Sequence, residues 1–175
     1  MDAKRNRSVN FTIERNMKKL LQINVKPNTA NEHGIPKKSV ISAILSKSGL
    51  EGDYNNYRTI KKSRNPDMAV LLYPIETIKE LNKEGWPIKP GDLGENFTLT
   101  GIPHSHFLPN QQYQIGESLI EISFECDPCQ NLSVLPYVGK TKINEFIKTL
   151  MHRRGWYARV LKEGLIIQNC IVKQI

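Results

Sequence analysis

Residues 118–132 read SLIEISFECDPCQNL, an alternating strand pattern that runs directly into two thiols. The alternation of apolar and polar side chains over 118–124 predicts a half-buried β-strand. Pro128 prevents a helix or a regular ladder from continuing through the thiols. We therefore expect Cys126, Cys129 or both to lie at a strand end, where a rigid sheet can present a reactive or metal-ligating group to a pocket.

Outward from this strand, short apolar runs alternate with turn residues, and no β-α-β rhythm is visible. Helices are expected over 74–85 and, from the i, i+3, i+4, i+7 spacing of apolar residues, over 143–150. Residues 156–161 and 165–172 indicate a hairpin. The pattern predicts a mainly β fold with some α (α+β), barrel-like, with two or more peripheral helices. The other expected strands or buried runs are 20–25, 39–45, 68–73, 97–100 and 113–115.

The net charge of +8 and the pI near 9.4 suggest nucleic-acid binding. Residues 1–19 hold six basic and two acidic side chains, a net +4, so half of the excess charge lies at the N-terminus. We interpret residues 1–16 as a disordered extension and 17–175 as a single domain. The three cysteines, and apolar runs far shorter than the roughly 20 residues of a membrane span, favour a cytoplasmic protein that does not enter the membrane.

The spacing of Cys126 and Cys129 admits four interpretations. A structural zinc site needs four ligands, and Cys170 and four scattered histidines are the candidates to complete it. A thioredoxin-like dithiol needs a helix after the thiols, yet 130–137 shows no clear helical pattern. Two inert buried thiols suit an apolar strand better than an Asp-Pro loop. The fourth interpretation is one soft thiolate ligand for a transition metal carried by an organic cofactor.

Five motifs occur in order along the chain: GLEGD (49–53), PDMAVLLYP (66–74), PGDLGENFT (90–98), DPC (127–129) and RRGWYARV (153–160). Together they resemble the motifs of MOSC domains, which are named for their similarity to the C-terminal domain of molybdenum cofactor sulfurase. The similarity runs from about residue 20 to residue 173. It implies a MOSC-type β-barrel that binds the molybdenum cofactor (molybdopterin), a pyranopterin whose dithiolene holds molybdenum.

The resemblance also implies roles for single residues. Cys129 matches the family's cysteine and is implied to be the catalytic residue and metal ligand or, in a sulfur-handling member, a persulfide carrier. Gly94, Glu95 and Asn96 can bring backbone N–H groups and a side-chain amide close to a polar ligand, although a plain turn uses the same residues. Asp53 can hydrogen-bond a pterin edge or serve as a turn residue. Asp127 joins this expected cofactor-binding set, and Cys126 has no implied role.

Arg153 and Arg154 complete the set, because a guanidinium can clamp a phosphate through two hydrogen bonds. The same pair can instead stabilise a helix C-terminus. The chain departs from the family at 63–65, where it has Ser63-Arg64-Asn65 and many relatives carry a His-Gly pair before Pro-Asp. That departure removes an acid/base candidate from the pocket rim.

The leading hypothesis is a molybdenum-cofactor oxidoreductase that reduces N-hydroxylated compounds, such as hydroxylamino bases or amidoximes, with electrons from a partner reductase. A second hypothesis is a sulfur carrier or cofactor-delivery protein that uses a Cys129 persulfide. A third is a non-catalytic basic barrel that binds nucleic acid. The long polar stretch 46–67 would supply the nucleic-acid contacts of that third hypothesis, through Tyr54, Tyr57, Arg58, Lys61, Lys62 and Arg64.

Overall fold

The computed structural model describes residues 17–30 and 32–175, so the expected N-terminal extension 1–16 lies outside the described residues. Two α-helices and eleven strands are described within these ranges. The helices are α1 (Ile75–Lys83) and α2 (Gly139–Leu150). The strands are β1 (Lys19–Val25), β2 (Lys38–Val40), β3 (Ser42–Ser46), β4 (Gly49–Leu50), β5 (Val70–Pro74), β6 (Phe97–Thr100), β7 (Gln112–Ile115), β8 (Ser118–Glu125), β9 (Trp156–Lys162), β10 (Gly164–Ile167) and β11 (Val172–Gln174).

Eight strands form one mixed sheet in the order β11-β7-β8-β9-β5-β6-β1-β2, and the remaining three form a sheet in the order β10-β3-β4. The prediction of a mainly β, α+β fold is therefore confirmed. Neither sheet is closed into a ring by the pairing of the described strands, so the barrel stays a prediction. The expected strand over 39–45 divides into β2 and β3 at Ile41, which is exposed.

The interpretation that the chain lacks a β-α-β unit is wrong at one place. β5 and β6 pair in parallel, with Leu72 opposite Phe97, and α1 lies between them in the chain. Parallel neighbours need a crossover connection, which is usually a helix. α1 buries Ile75, Ile78 and Leu81 on one face, as its apolar spacing predicts.

The expected hairpin between 156–161 and 165–172 is also wrong. β9 is paired on both edges, with β8 on one side and β5 on the other. One residue, Glu163, separates β9 from β10, which is shorter than the two-residue loop of a tight hairpin. β10 instead pairs with β3 in the second sheet, where Leu165 lies opposite Ile44.

The apolar interior has two main parts. One lies among the strands and includes Leu20, Phe97 and Ile120. The other includes Tyr73 together with Ile78 of α1 and Phe146 of α2. Buried aliphatic and aromatic side chains each contribute about 1.5–3 kcal/mol, so the second cluster holds the helices on the sheet.

Candidate functional site

The end of β8 and the start of β9 meet at one edge of a cavity of about 590 Å³. Glu125 lies opposite Trp156, and the Cys126 N–H donates to the Gly155 carbonyl oxygen over 2.9 Å. Further walls come from the loop 32–37, the stretch 54–68 and the turn 93–94. A cavity of 300–1,000 Å³ is the size that usually binds small molecules and cofactors.

Both thiols of the Asp-Pro loop line the cavity, as does Asp127 between them. Cys126 is buried and Cys129 is exposed. Burial raises the pKa of the Cys126 thiol, which keeps it protonated and unreactive near neutral pH. Of the two, Cys129 is therefore the thiol with access to a ligand and to solvent.

Arg154 is the most unusual polar group of the cavity wall. Its side chain is buried, and Nη2 donates to the Leu93 carbonyl oxygen. Nε and Nη1 are also buried, and neither finds a hydrogen-bond partner among the described residues. An unpaired buried donor costs about 1–3 kcal/mol, and more when it is charged. A cation with unmet hydrogen-bonding capacity therefore lies in the cavity wall, which suits an anionic ligand.

Arg153 has a different environment, although it is the adjacent residue. Its Nη1 and Nη2 donate to Glu84 Oε2 and Oε1 over 2.9 and 2.8 Å. It lies outside the described residues that line the cavity. The structure thus directs Arg154 to the cavity and Arg153 to a surface ion pair.

Asp53 and Asn96 also lie outside this cavity lining. Asp53 accepts hydrogen bonds from the Lys26 N–H at 2.8 Å, from Lys37 Nζ at 2.6 Å and from Asn96 Nδ2 at 2.8 Å. The Asn96 amide oxygen accepts from the Leu71 N–H at 3.1 Å. These polar groups hold together the chain segments around residues 26–37, 53, 71 and 96, and their proposed contact with a cofactor stays a prediction.

Gly94 and Glu95 are adjacent in the sequence, but only Gly94 lines the cavity. Gly94 lines the cavity with a φ of 76°, and a Cβ there would lie 2.8 Å from Ile35 Cγ2. Glu95 is fully buried outside the lining and accepts from the Gly91 N–H at 2.6 Å and the Thr98 hydroxyl at 3.1 Å. Burial raises the pKa of the Glu95 carboxyl. Glu95 therefore shapes the turn that brings Gly94 to the cavity.

The rim contains residues that the family motifs do not include, among them Tyr57 and Lys62 of the nucleic-acid hypothesis. The stretch 54–57 follows β4, and Tyr57 begins a single π-helical turn, Tyr57–Lys61. Lys62 Nζ lies 5.5 Å from the centre of the Tyr57 ring, and both residues line the cavity together with His33 and Phe124. The sequence signal for this rim is the unusual length of the polar loop, which suggests function without saying which side chains converge.

Ser63 and Arg64, at the departure from the family pattern, both adopt left-handed backbone conformations with φ of 49° and 57°. Side chains other than glycine and asparagine rarely occupy this region. Asn65, the next residue, lines the cavity and accepts the Asp67 N–H at 3.0 Å. The segment where the chain departs from the expected motif thus contains two strained residues beside the rim.

Over 17–30 and 32–175, no set of three or more His, Cys, Asp or Glu side chains is arranged to hold a metal ion. A metal at this cavity would take most of its ligands from a cofactor, with one from Cys129. The cavity volume and the two partnerless donors of the Arg154 guanidinium both fit a bulky, anionic cofactor.

These features define the class of protein. The chain belongs to the MOSC domain family, whose model matches residues 59–172. The family is associated with molybdenum cofactor binding.

The chain is also similar to an individual bacterial protein. The chain is 27% identical over 139 residues to the uncharacterized protein YflK of Bacillus subtilis (strain 168), a match that covers 77% of this chain and 60% of that protein. The chain thus spans about three fifths of the length of this curated relative.

Among solved structures, YiiM from Geobacillus stearothermophilus matches with a TM-score of 0.69 and 26% identity, over 90% of this chain and 75% of that one. YuaD from Bacillus subtilis matches with a TM-score of 0.72 and 16% identity, over 89% of this chain and 94% of that one. At that identity, the second match shows the fold alone. No helix in the described part of the chain has both the length and the apolarity to cross a membrane.

Proposed function

We propose that this protein binds the molybdenum cofactor in the cavity beside Cys129 and reduces N-hydroxylated compounds, such as hydroxylamino bases or amidoximes, with electrons from a partner reductase. The observation that carries the proposal is the position of Arg154, a buried cation with unpaired donors on the wall that the Cys129 loop also lines. A phosphate would satisfy those donors.

Each wall has a part in this function. Cys129 would supply a soft thiolate to the metal. Arg154 would hold the cofactor's phosphate, and the absence of a side chain at Gly94 leaves room for Ile35, another residue of the cavity wall. Met68, Leu71 and Leu132 are buried apolar residues of the lining that exclude water. When bound, the cofactor supplies two-electron chemistry at an oxygen atom.

We also propose that residues 17–175 form one domain whose main sheet closes as a barrel. Backbone hydrogen bonds support this, because the Val172 N–H donates to the Lys18 carbonyl at 2.9 Å and the Leu20 N–H donates to the Cys170 carbonyl at 3.0 Å. Lys19 and Ile171 form an isolated bridge between the same segments. Slow hydrogen exchange at the Leu20 and Val172 amides, comparable to that of the central strands, would support closure, and rapid exchange there would contradict it.

The test is the molybdenum and pterin content of protein made in a host that synthesises the cofactor. Wild type is compared with Cys129→Ala and with Cys170→Ala, a matched control because Cys170 packs against the core among the strands. Near-stoichiometric molybdenum in wild type and control, lost in Cys129→Ala, would support Cys129 as ligand. Wild type that holds neither molybdenum nor pterin would overturn the proposal.

Reduction is then assayed with a hydroxylaminopurine and reduced methyl viologen as the electron donor, which makes the assay independent of the partner reductase. Formation of the aminopurine by the loaded protein would support the reductase function. Loaded protein that leaves the substrate unchanged would overturn the reductase function while leaving cofactor binding intact.

The exposure of Cys129 favours a second candidate, a sulfur carrier. Its thiolate would take the terminal sulfur of a donor persulfide, and the donor would leave as a thiol. Mass spectrometry after incubation with a persulfide donor should then show one added sulfur atom at Cys129. An unmodified Cys129 would exclude this role.

A further inference from the structure

Glu125 is a cavity carboxylate that the family motifs do not include. It is the last residue of β8 and lines the cavity immediately before Cys126. Its Oε2 lies 3.2 Å from His152 Nδ1, and its Oε1 lies 3.7 Å from His104 Nε2. One carboxylate is therefore placed between the cavity and two imidazole rings.

The two histidines differ in their contact with solvent. The His152 side chain is 81% exposed and the His104 side chain is 14% exposed. His104 Nε2 accepts the Gly155 N–H at 3.3 Å, which leaves its proton on Nδ1. Burial lowers the pKa of His104, and the Glu125 charge partly offsets this effect, while Arg153 and His152 add to it. Of the two rings, His152 is the one that can exchange protons with bulk water.

We propose that Glu125 donates a proton to the substrate in the cavity and is reprotonated from solvent through His152. This role rests on the proposed reductase function. Reduction of R–NHOH to R–NH2 breaks the N–O bond, consumes two electrons from the external reductase and two protons, and releases water. One proton ends on nitrogen and the other on the departing hydroxyl.

Ser63-Arg64-Asn65 provides no imidazole, and the imidazole in the described lining, His33, lies on the loop before β2. Glu125 lies on a different segment, at the end of a strand in the main sheet, and so is positioned by a rigid element. A positioned acid contributes about 10²- to 10⁴-fold to a rate.

The first test compares wild type, Glu125→Gln and Glu125→Asp at equal molybdenum content, in the methyl viologen assay. Glu125→Gln keeps the shape but removes the acid, so kcat should fall about 100-fold with KM nearly unchanged. Glu125→Asp should retain more activity, because it keeps a carboxyl. Glu121→Gln is the matched control, since Glu121 lies on the same strand outside the described cavity lining and pairs with Arg159.

The relay is tested with His152→Asn, which should slow turnover and be rescued by imidazole buffer, because a free imidazole can carry the proton. His106 is exposed and lies outside the described lining, so His106→Asn is the control for His152→Asn. It should neither slow turnover nor respond to imidazole. In the cofactor-free protein, the ¹⁵N spectrum of His152 should show the proton on Nδ1 in wild type, and Glu125→Ala should abolish that preference.

The outcomes separate the two proposals. Loaded wild type that reduces nothing overturns the reductase function and the role of Glu125 with it. Active wild type with Glu125→Gln as active as Glu121→Gln overturns the role of Glu125 alone. If activity in Glu125→Gln falls only in proportion to lost molybdenum, the residue is structural and the proton-donor role is overturned. Absence of imidazole rescue in a slowed His152→Asn would overturn the relay.

Discussion

Lys37 Nζ lies 2.6 Å from Asp53 Oδ2, and their side chains are only 3% and 8% exposed. The ion pair joins the loop that leads into β2 to the turn that follows β4. Burial lowers the pKa of Lys37, and the Asp53 charge works against this effect. A buried pair of this kind is sensitive to the loss of one partner, because the other charge is left without compensation.

Replacing Asp53 with asparagine should therefore destabilise the protein by about 3–5 kcal/mol. The double variant Asp53→Asn with Lys37→Met should recover part of that loss, since it removes the stranded charge as well. Urea unfolding of the cofactor-free protein measures both values. An Asp53→Asn variant as stable as wild type, but unable to retain pterin, would instead favour the direct cofactor contact expected from the sequence.

The adjacent arginines should respond in opposite ways to substitution by methionine. Arg153→Met breaks a surface ion pair, so it should cost about 0.2–1 kcal/mol of stability and leave cofactor content unchanged. Arg154→Met removes a buried charge with unpaired donors, so cofactor content should fall sharply with little loss of stability in the cofactor-free protein. Molybdenum content and urea unfolding of both variants check this contrast. Equal cofactor loss in the two would contradict it.

Gly155 is required by close packing as well as by its φ of 94°. A Cβ there would overlap the Leu72 carbonyl oxygen and lie 2.9 Å from Tyr73 Cδ2. The left-handed conformation costs an alanine about 1–2 kcal/mol and overpacking about 1–3 more, so Gly155→Ala should lose about 3 kcal/mol. Gly52 has a φ of 79°, and a Cβ there would meet nothing within 4 Å, so Gly52→Ala isolates the backbone cost, about 1 kcal/mol. Thermal unfolding of both should show the difference, and equal losses would refute the packing explanation.

His104 should make the folded protein less stable in acid. Because burial lowers its pKa in the folded state, the unfolded chain binds the proton more readily. The contribution of His104 to the free energy of unfolding is present above about pH 6.5, the ordinary pKa of histidine. It is lost as the pH falls below that value. His104→Gln should flatten this part of the profile, whereas His106→Gln on the surface should not. The measurement is the urea midpoint of wild type and of both variants between pH 5 and pH 8. The same dependence of the midpoint on pH in the two variants would contradict the role of His104.

Local patterns predicted the elements whose formation depends on their own residues. The strand over 97–100 coincides with β6, and the apolar spacing of α1 matches its buried face. The pairing partner of a strand cannot be predicted in this way. The alternation of apolar and polar residues specifies which face of the strand is buried, but not which strand lies beside it. For that reason, β10 was expected beside β9 and lies instead beside β3, more than a hundred residues earlier in the chain.

In the candidate site too, local sequence predicts some features, while others depend on distant segments of the chain. The position of Cys129 in a loop after β8 follows from Pro128 and the alternation before it. The distinction between Arg153 and Arg154 could not be predicted, because the partner that separates them, Glu84, belongs to a distant segment. Likewise, an aspartate after glycine suits a turn or a ligand equally well, and Lys37 and Asn96 decide the environment of Asp53.

The hydrogen bond from the Cys126 N–H to the Gly155 carbonyl fastens the loop of Cys129 to the residue beside Arg154. This wall of the cavity is therefore tied to β8 and β9, which are adjacent strands of the main sheet, while the rim comes from the loop 32–37 and the stretch 54–68. Such an arrangement lets the rim diversify among relatives, or be exchanged by loop grafting, without disturbing the groups beneath it. Substrate preference and cofactor retention would then be separately inherited traits of the same scaffold.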